Sequence, residues 1–442
     1  MTFQSAVRRT SCALFIVVIA VTAGCGSSEE GREDRTPRRV RALGQPDPSV
    51  GAGLAGDAED IASVQLHATG DELEPPVLSV DGQRTLTLAF DLLGSDARPL
   101  TVHFYHADRE WRRDLSPSEY LETYHDDDVL DYRPSQLSDV RFTHYRYSFP
   151  NSSIAFRVSG NYILRVSEQG NEDAVLFERP FLVTEQSIAT DLLLDNVIVS
   201  NSVLPAVQPT AVFTPRAESS SSAFDYSVCF VRDGRIASAR CATDPSLMNQ
   251  PALEFYLQPV SAFRPDGGDY VLDLSVLQPG GQLERIDQTS VPITVDLAPD
   301  YVRFGADEFS DRLLGQSEIG GAVRDTGEPH TQAQYVETRF SLVTEGDRPL
   351  ADPVYVVGAF NGWQMRESGR MAWDPDAARY TATLLVKQGR YEYRYMSPSA
   401  RTRSTLSQSL PRSGIVYTAM VYFDDTRLQT DRLLSVVSSR SF

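Results

Sequence analysis

Thr143-His-Tyr-Arg-Tyr-Ser-Phe149 puts Thr143, Tyr145, Tyr147 and Phe149 on one side of an extended chain and His144, Arg146 and Ser148 on the other. A period of two is the pattern of a half-buried strand. Just upstream, Leu115-Ser-Pro-Ser-Glu-Tyr-Leu121 reads as a capped turn between strands. Ser116 serves as N-cap, Pro117 suits the first helical position, and Glu119 closes a capping box. Downstream, Gly160-Asn161 turns the chain into Tyr162-Ile-Leu-Arg-Val166, another strand. Upstream, Leu86, Leu88 and Phe90 share a face of one strand, and Leu100, Val102 and Phe104 share a face of another.

The same texture continues along the chain. Alternating runs bounded by Gly, Pro, Asn and Asp recur about every ten residues, and helical periodicity is scarce, which indicates an all-β protein of tandem β-sandwiches. A chain of 442 residues exceeds one core. We expect a first domain over 61–187, a second over 188–297, a connector over 298–331, a third domain over 332–428 and a tail over 429–442. The excursion between Asp108 and Arg141 is long for a compact sandwich, and such loops usually carry function. The second domain is expected to hold a hairpin at Asp233-Gly234 and strands over 253–257 and 270–277.

Leu115-Ser-Pro-Ser-Glu-Tyr-Leu121, Thr143-His-Tyr-Arg146, Phe149-Pro-Asn151 and Ser159-Gly-Asn-Tyr162 together resemble the first-domain signature of the plug protein of the type IX secretion system. Val64-Gln-Leu66, the run from Leu73 to Val77 and Phe181-Leu-Val183 extend the resemblance. The third region is similar as well, with Val354-Tyr-Val-Val-Gly-Ala-Phe-Asn-Gly-Trp363 and the stripe Tyr391, Tyr393, Tyr395 in an early-set, immunoglobulin-like sandwich. The resemblance implies a periplasmic, non-enzymatic stopper, without a cofactor, lying against a giant outer-membrane β-barrel translocon.

Residues 1–24 have the parts of a secretory signal peptide: Arg8-Arg9, an apolar run from Ala13 to Val21, and Ala23-Gly24 before Cys25. The run is too short to span a bilayer. Thr22-Ala23-Gly24-Cys25 resembles a lipobox, with Thr22 in place of the usual leucine, so Cys25 is the lipidation candidate; an ordinary signal that happens to contain a cysteine is the alternative. Gly26 in place of aspartate favours the outer membrane. Residues 25–60, rich in Arg, Pro and Gly, read as a disordered tether with a span on the order of 30 Å.

The 60 acidic residues against 41 basic ones give −19, and losing Arg8 and Arg9 with residues 1–24 takes this to −21. That excludes nucleic-acid binding by charge. Lys387 is the only lysine. Cys229 and Cys241 flank Asp233-Gly234. A two-residue turn would pair position 229 with 238, so a disulfide requires a longer loop or a bulge, and both states stay open.

No nucleophile elbow, phosphate loop or zinc motif occurs, and no enzyme activity is expected. His103 and His106 point to opposite faces, and His125-Asp-Asp-Asp128 reads as solvated charge, so no metal site is assigned. The rival function is glycan binding. Gly358-Ala-Phe-Asn-Gly-Trp363 also resembles the motif of starch- and glycogen-binding modules, in which a tryptophan stacks on sugar. Here Arg394 stands at the usual lysine, no aromatic residue lies between Ser397 and Thr405, and Trp373 is in another loop, so Trp363 reads as core.

Overall fold

The strand Phe142–Phe149 pairs on one side with Leu86–Leu93 and on the other with Asp131–Pro134, and Ile61–Ala68 completes a four-stranded sheet. In this computed structural model the described residues are 53–441, leaving out 95, 137, 200–204, 216–221, 250, 265–268, 303–312, 321–327 and 408–413. Cys25, the signal peptide and most of the expected tether lie outside them.

A second sheet of the first module runs Val77–Ser79, Asn171–Thr184, Gly160–Glu168, Leu100–Ala107, Asp126–Asp128. The alternation seen in the sequence sets the core between the sheets. Leu86, Leu88, Phe90, Tyr145 and Phe149 meet Leu100, Val102, Phe104, Leu164 and Phe181 there. Phe90 stacks on Tyr145 with centroids 5.1 Å apart. Half-burial holds for Tyr145 to Phe149 but not at His144, which is buried on the outer face. Another module covers that face.

The rest of the chain is nested. Thr190–Val197, Ala206–Phe213, Ala252–Tyr256 and Leu247–Asn249 form one sheet of a second sandwich; the other joins Arg240–Ala242 and Tyr226–Arg232 to Val416–Asp425 and Thr430–Arg440. Phe213, Phe230, Phe255, Tyr417 and Val421 fill its core. A third sandwich is inserted before the chain returns at Val416. One of its sheets holds Tyr270–Asp273, Gly389–Met396, Ser317–Ile319 and Tyr355–Gly358. The other holds Leu283–Asp287, Thr294–Leu297, Tyr335–Val343, Arg379–Lys387 and Ala372–Asp374.

The boundaries expected from the sequence therefore cut across sheets. Tyr270–Asp273 pairs with Gly389–Met396, not with the second module. Val416–Asp425 pairs along its length with Tyr226–Arg232, and the expected tail is the eleven-residue strand Thr430–Arg440. Strand alternation encodes which face is buried but not which sheet the strand joins. The end of the tether also differs from expectation. Ala58 N–H donates to Leu176 O, Ala55 and Glu178 exchange bonds, and the Asp57 side chain, 5% exposed, pairs with Arg179 at 2.6 Å and Arg366 at 2.9 Å. The described residues cluster as one unit.

Candidate functional site

A string of sandwiches can act as one object only if the seams between modules are held. Between the first and second modules, Ala107, Trp111, Ile163 and Leu182 pack on Cys229, Val231, Met420, Tyr422 and Leu433. Polar pairs frame this apolar patch. Arg109 binds Asp431 through its backbone N–H at 3.1 Å and its guanidinium at 2.6 Å, and Arg432 grips Glu185 bidentately at 2.7 and 2.9 Å. The Tyr422 hydroxyl donates to Asn161 Oδ1 at 2.7 Å.

The seam between the first and third modules is ionic and buried. Asp91 is 0% exposed and Lys387 1%. The ammonium donates to Asp91 Oδ2 and to His330 O, while His144 Nδ1 donates to Asp91 Oδ1 and Tyr335 OH to Oδ2, each at 2.7 Å. Lys387 also lies 4.2 Å from the Phe142 ring centroid. Burial alone would raise the Asp91 carboxyl, but Lys387 and His144 outweigh it and hold the group below the usual carboxylate range. Ser63 Oγ meets Tyr335 OH at 2.8 Å, Gln65 Nε2 donates to Ser317 O at 2.7 Å, and Ile319 N–H donates to Glu72 at 2.9 Å.

Trp363 sits where all three modules meet. The Arg235 guanidinium lies 3.8 Å from its ring centroid, and the indole N–H donates to Gly315 O at 3.0 Å. Arg235 and Arg394 both pair with Asp269, which is 0% exposed, and burial pulls Arg235 down to about 10. One face of Trp363 thus lies under a guanidinium and its N–H is used, so the half-buried ring packs between modules. Gly234, at φ +69°, permits this junction, because a Cβ there would stand 2.5 Å from Leu314 O. A cavity of about 360 Å³ remains, lined by Leu54, Leu66, Pro180, Ile236, Leu314 and Trp363 among others. Its arginines, Arg179 and Arg235, are engaged with Asp57 and Asp269.

Cys229 and Cys241 are bridged. They are register partners of Tyr226–Arg232 and Arg240–Ala242, and the longer loop the bridge requires contains the 3₁₀ turn Ile236–Ser238 after Asp233-Gly234. His103 Nε2 meets Ser167 Oγ at 2.9 Å, and His106 Nδ1 meets Asp114 Oδ1 at 2.7 Å. Asp127 accepts from Tyr147 OH, and Asp128 from Thr101 and Gln169. The acidic run is thus tied to protein donors, and among the described residues no group of three metal-ligating side chains is found.

The 108–141 excursion closes the open side of the first sandwich. Its capped turn forms, with Glu119 accepting from Ser116 N–H at 2.7 Å and Tyr120 buried, its hydroxyl on Phe104 O. Asp126–Asp128 and Asp131–Pro134 then extend one sheet each, presenting charge and proline at the edges, which discourages edge-to-edge association. Tyr124, Leu130 and Tyr132 remain 69%, 81% and 49% exposed.

Residues 61–185 match the model described as the type 9 secretion system plug protein first domain. The first module belongs to the type 9 secretion system plug family. The chain is thus a component of type IX secretion, a structural part associated with the translocon on the periplasmic side or at the outer membrane. No curated protein matches it. A crystal structure of a hypothetical protein from Parabacteroides merdae ATCC 43184 has the same fold, with TM-score 0.78 and 22% identity over 88% of this chain and 99% of that one. Among the described residues no helix is long and apolar enough to cross a membrane.

Missing from the sequence reading are the seam networks, above all Asp91 with Lys387 and Asp57 with Arg179 and Arg366. The one available signal was the isolated lysine in a chain that otherwise uses arginine for every basic side chain but histidine.

Proposed function

We infer that this plug-family protein works by obstruction. It is held at the periplasmic side of the outer membrane by a lipid on Cys25, docks on the translocon barrel and closes its pore without bond-making chemistry. The observation that carries the reading is the interlocking of three sandwiches, the first of plug type, through buried seams. A stopper has to resist deformation, and a nested second module with ionic seams supplies that resistance. A tether raises the effective concentration near the barrel, so the docking contact can be weak and reversible. The exposed Tyr124, Leu130 and Tyr132 of the excursion are the candidate contact.

Affinity purification of the native protein from detergent-solubilised outer membranes, with mass spectrometry of the eluate, tests this. A very large outer-membrane barrel should co-purify in near-stoichiometric amount, and replacing Tyr124, Leu130 and Tyr132 by serine should reduce its recovery. Elution without any barrel would overturn the docking.

A further inference from the structure

Three of the chain's six histidines meet at the seam between the first and third modules. His144, on Phe142–Phe149, and His330, on the turn Pro329–Gln332, stack with centroids 4.9 Å apart and planes at 17°. His67, at the end of Ile61–Ala68, is 6% exposed and within electrostatic reach of His330. The elements packed around them bring Asp91 from Leu86–Leu93, Lys387 from Arg379–Lys387, the Tyr335 hydroxyl from Tyr335–Val343, the Tyr391 hydroxyl from Gly389–Met396, and Glu72, whose carboxylate is 3.5 Å from His330 Nε2. Asp91 is already matched by the Lys387 ammonium, and Glu72 also accepts the Ile319 N–H. Protons added to His67 and His144 would meet carboxylates that are already shared with other donors.

We propose that this group is an acid-operated latch: protonation of the buried imidazoles of His67 and His144 under mildly acidic conditions releases the third module from the first. Burial is the largest influence holding His144 and His67 below the usual imidazole range. At His144 the cations Lys387 and His330 add to it and Asp91 opposes it; at His67, His330 adds to it, while Glu72 and the backbone carbonyls of Ala68 and Asp71 oppose it. The open state then binds protons more readily than the closed one. The closing contribution is present above the open-state value of about 6.5 and is lost as pH falls from there through the lower closed-state values. The latch is a property of the seam and does not depend on what the molecule docks on.

Hydrogen exchange of the full folded chain, resolved by mass spectrometry at about pH 7.5 and about pH 5.5 and corrected for intrinsic rates, tests it. The seam reporters are the amides of Gln136, bonded to Thr331 O, and Ile319, bonded to Glu72. The internal control is the hairpin Thr190–Val197 with Ala206–Phe213. Protection at the seam should fall about tenfold or more at the lower pH while the hairpin changes less than about twofold. In His144→Gln, which keeps an amide donor toward Asp91 but removes one of the two rings that burial holds below the usual imidazole range, the seam loss should shrink by about threefold or more. Equal seam protection at both pH values, a parallel loss in the hairpin, or an undiminished loss in His144→Gln would overturn the latch. If that variant does not fold, nuclear magnetic resonance titration of the imidazole protons in the unaltered protein decides the question. His67 and His144 should titrate together with loss of seam protection, and titration with the seam still closed would refute the proposal.

Discussion

Replacing Lys387 by methionine removes the cation from a seam where its partner Asp91 has no exposure to water. Breaking a buried pair from one side costs about 3–5 kcal/mol, because the remaining charge is left uncompensated. Asp91 would keep the donors on His144 and Tyr335, each at 2.7 Å, which favours the lower end. The His330 carbonyl loses its ammonium donor, worth about 1 kcal/mol. Methionine fills most of the space of the lysine stem, so the cavity contribution is small. The expected loss is about 4 kcal/mol. Exchanging both partners, Asp91→Leu with Lys387→Met, leaves no buried charge and should cost at least about 2 kcal/mol less than the sum of the single changes. Equilibrium urea unfolding measures this, followed by tryptophan fluorescence and far-ultraviolet circular dichroism, which should coincide for the free energies to be compared. A loss below about 1 kcal/mol in Lys387→Met, or additive single changes, would refute a seam held by this pair.

Three further outcomes follow from other parts of the molecule. Replacing Cys229 and Cys241 by serine reopens a short loop and should lower stability by about 2–3 kcal/mol in the same unfolding experiment, as should reduction of the unaltered protein. Trp363→Ala should destabilise by about 2–3 kcal/mol through loss of the three-module anchor, and neither parent nor variant should be retained on immobilised starch. Burial raises Asp300, which accepts from Tyr393 at 2.8 Å and Tyr395 at 2.6 Å, to about 6. A carboxyl raised in the folded state favours folding below its unfolded value, and this contribution disappears as pH rises through about 6. The stability of the parent relative to Asp300→Asn should therefore fall by up to about 3 kcal/mol between pH 4 and pH 7.5, measured as unfolding midpoints across that range.

Much of the first module was legible because its strands obey one rule throughout: Tyr145 stacks on Phe90, and Tyr147 and Phe149 face Phe104, just as a period of two requires. The capped turn at Ser116 was equally legible, since its signal is local. What escaped was everything set by contacts distant in sequence. Nothing in Thr430–Arg440 distinguishes a tail from a strand until Val416–Asp425 is seen to turn it back onto Tyr226–Arg232. His144 looked like a surface residue because the module covering it begins more than a hundred residues later. Trp363 showed two meanings in the sequence, and the guanidinium on its ring and the bonded indole N–H, both set by residues distant in sequence, favour packing between modules. The seam carboxylates Asp57 and Asp91 are indistinguishable by sequence from the many solvated acids of this acidic chain.

Obstruction of the translocon is tested most directly by outer-membrane permeability in cells lacking the chain but retaining the barrel. Entry of a hydrophilic antibiotic too large for general porins reports the leak. The account predicts that these cells become permeable and that the tethered wild-type protein reseals them. Exclusion of the antibiotic as complete as in the parent cells, with the barrel present at its normal level, would contradict it.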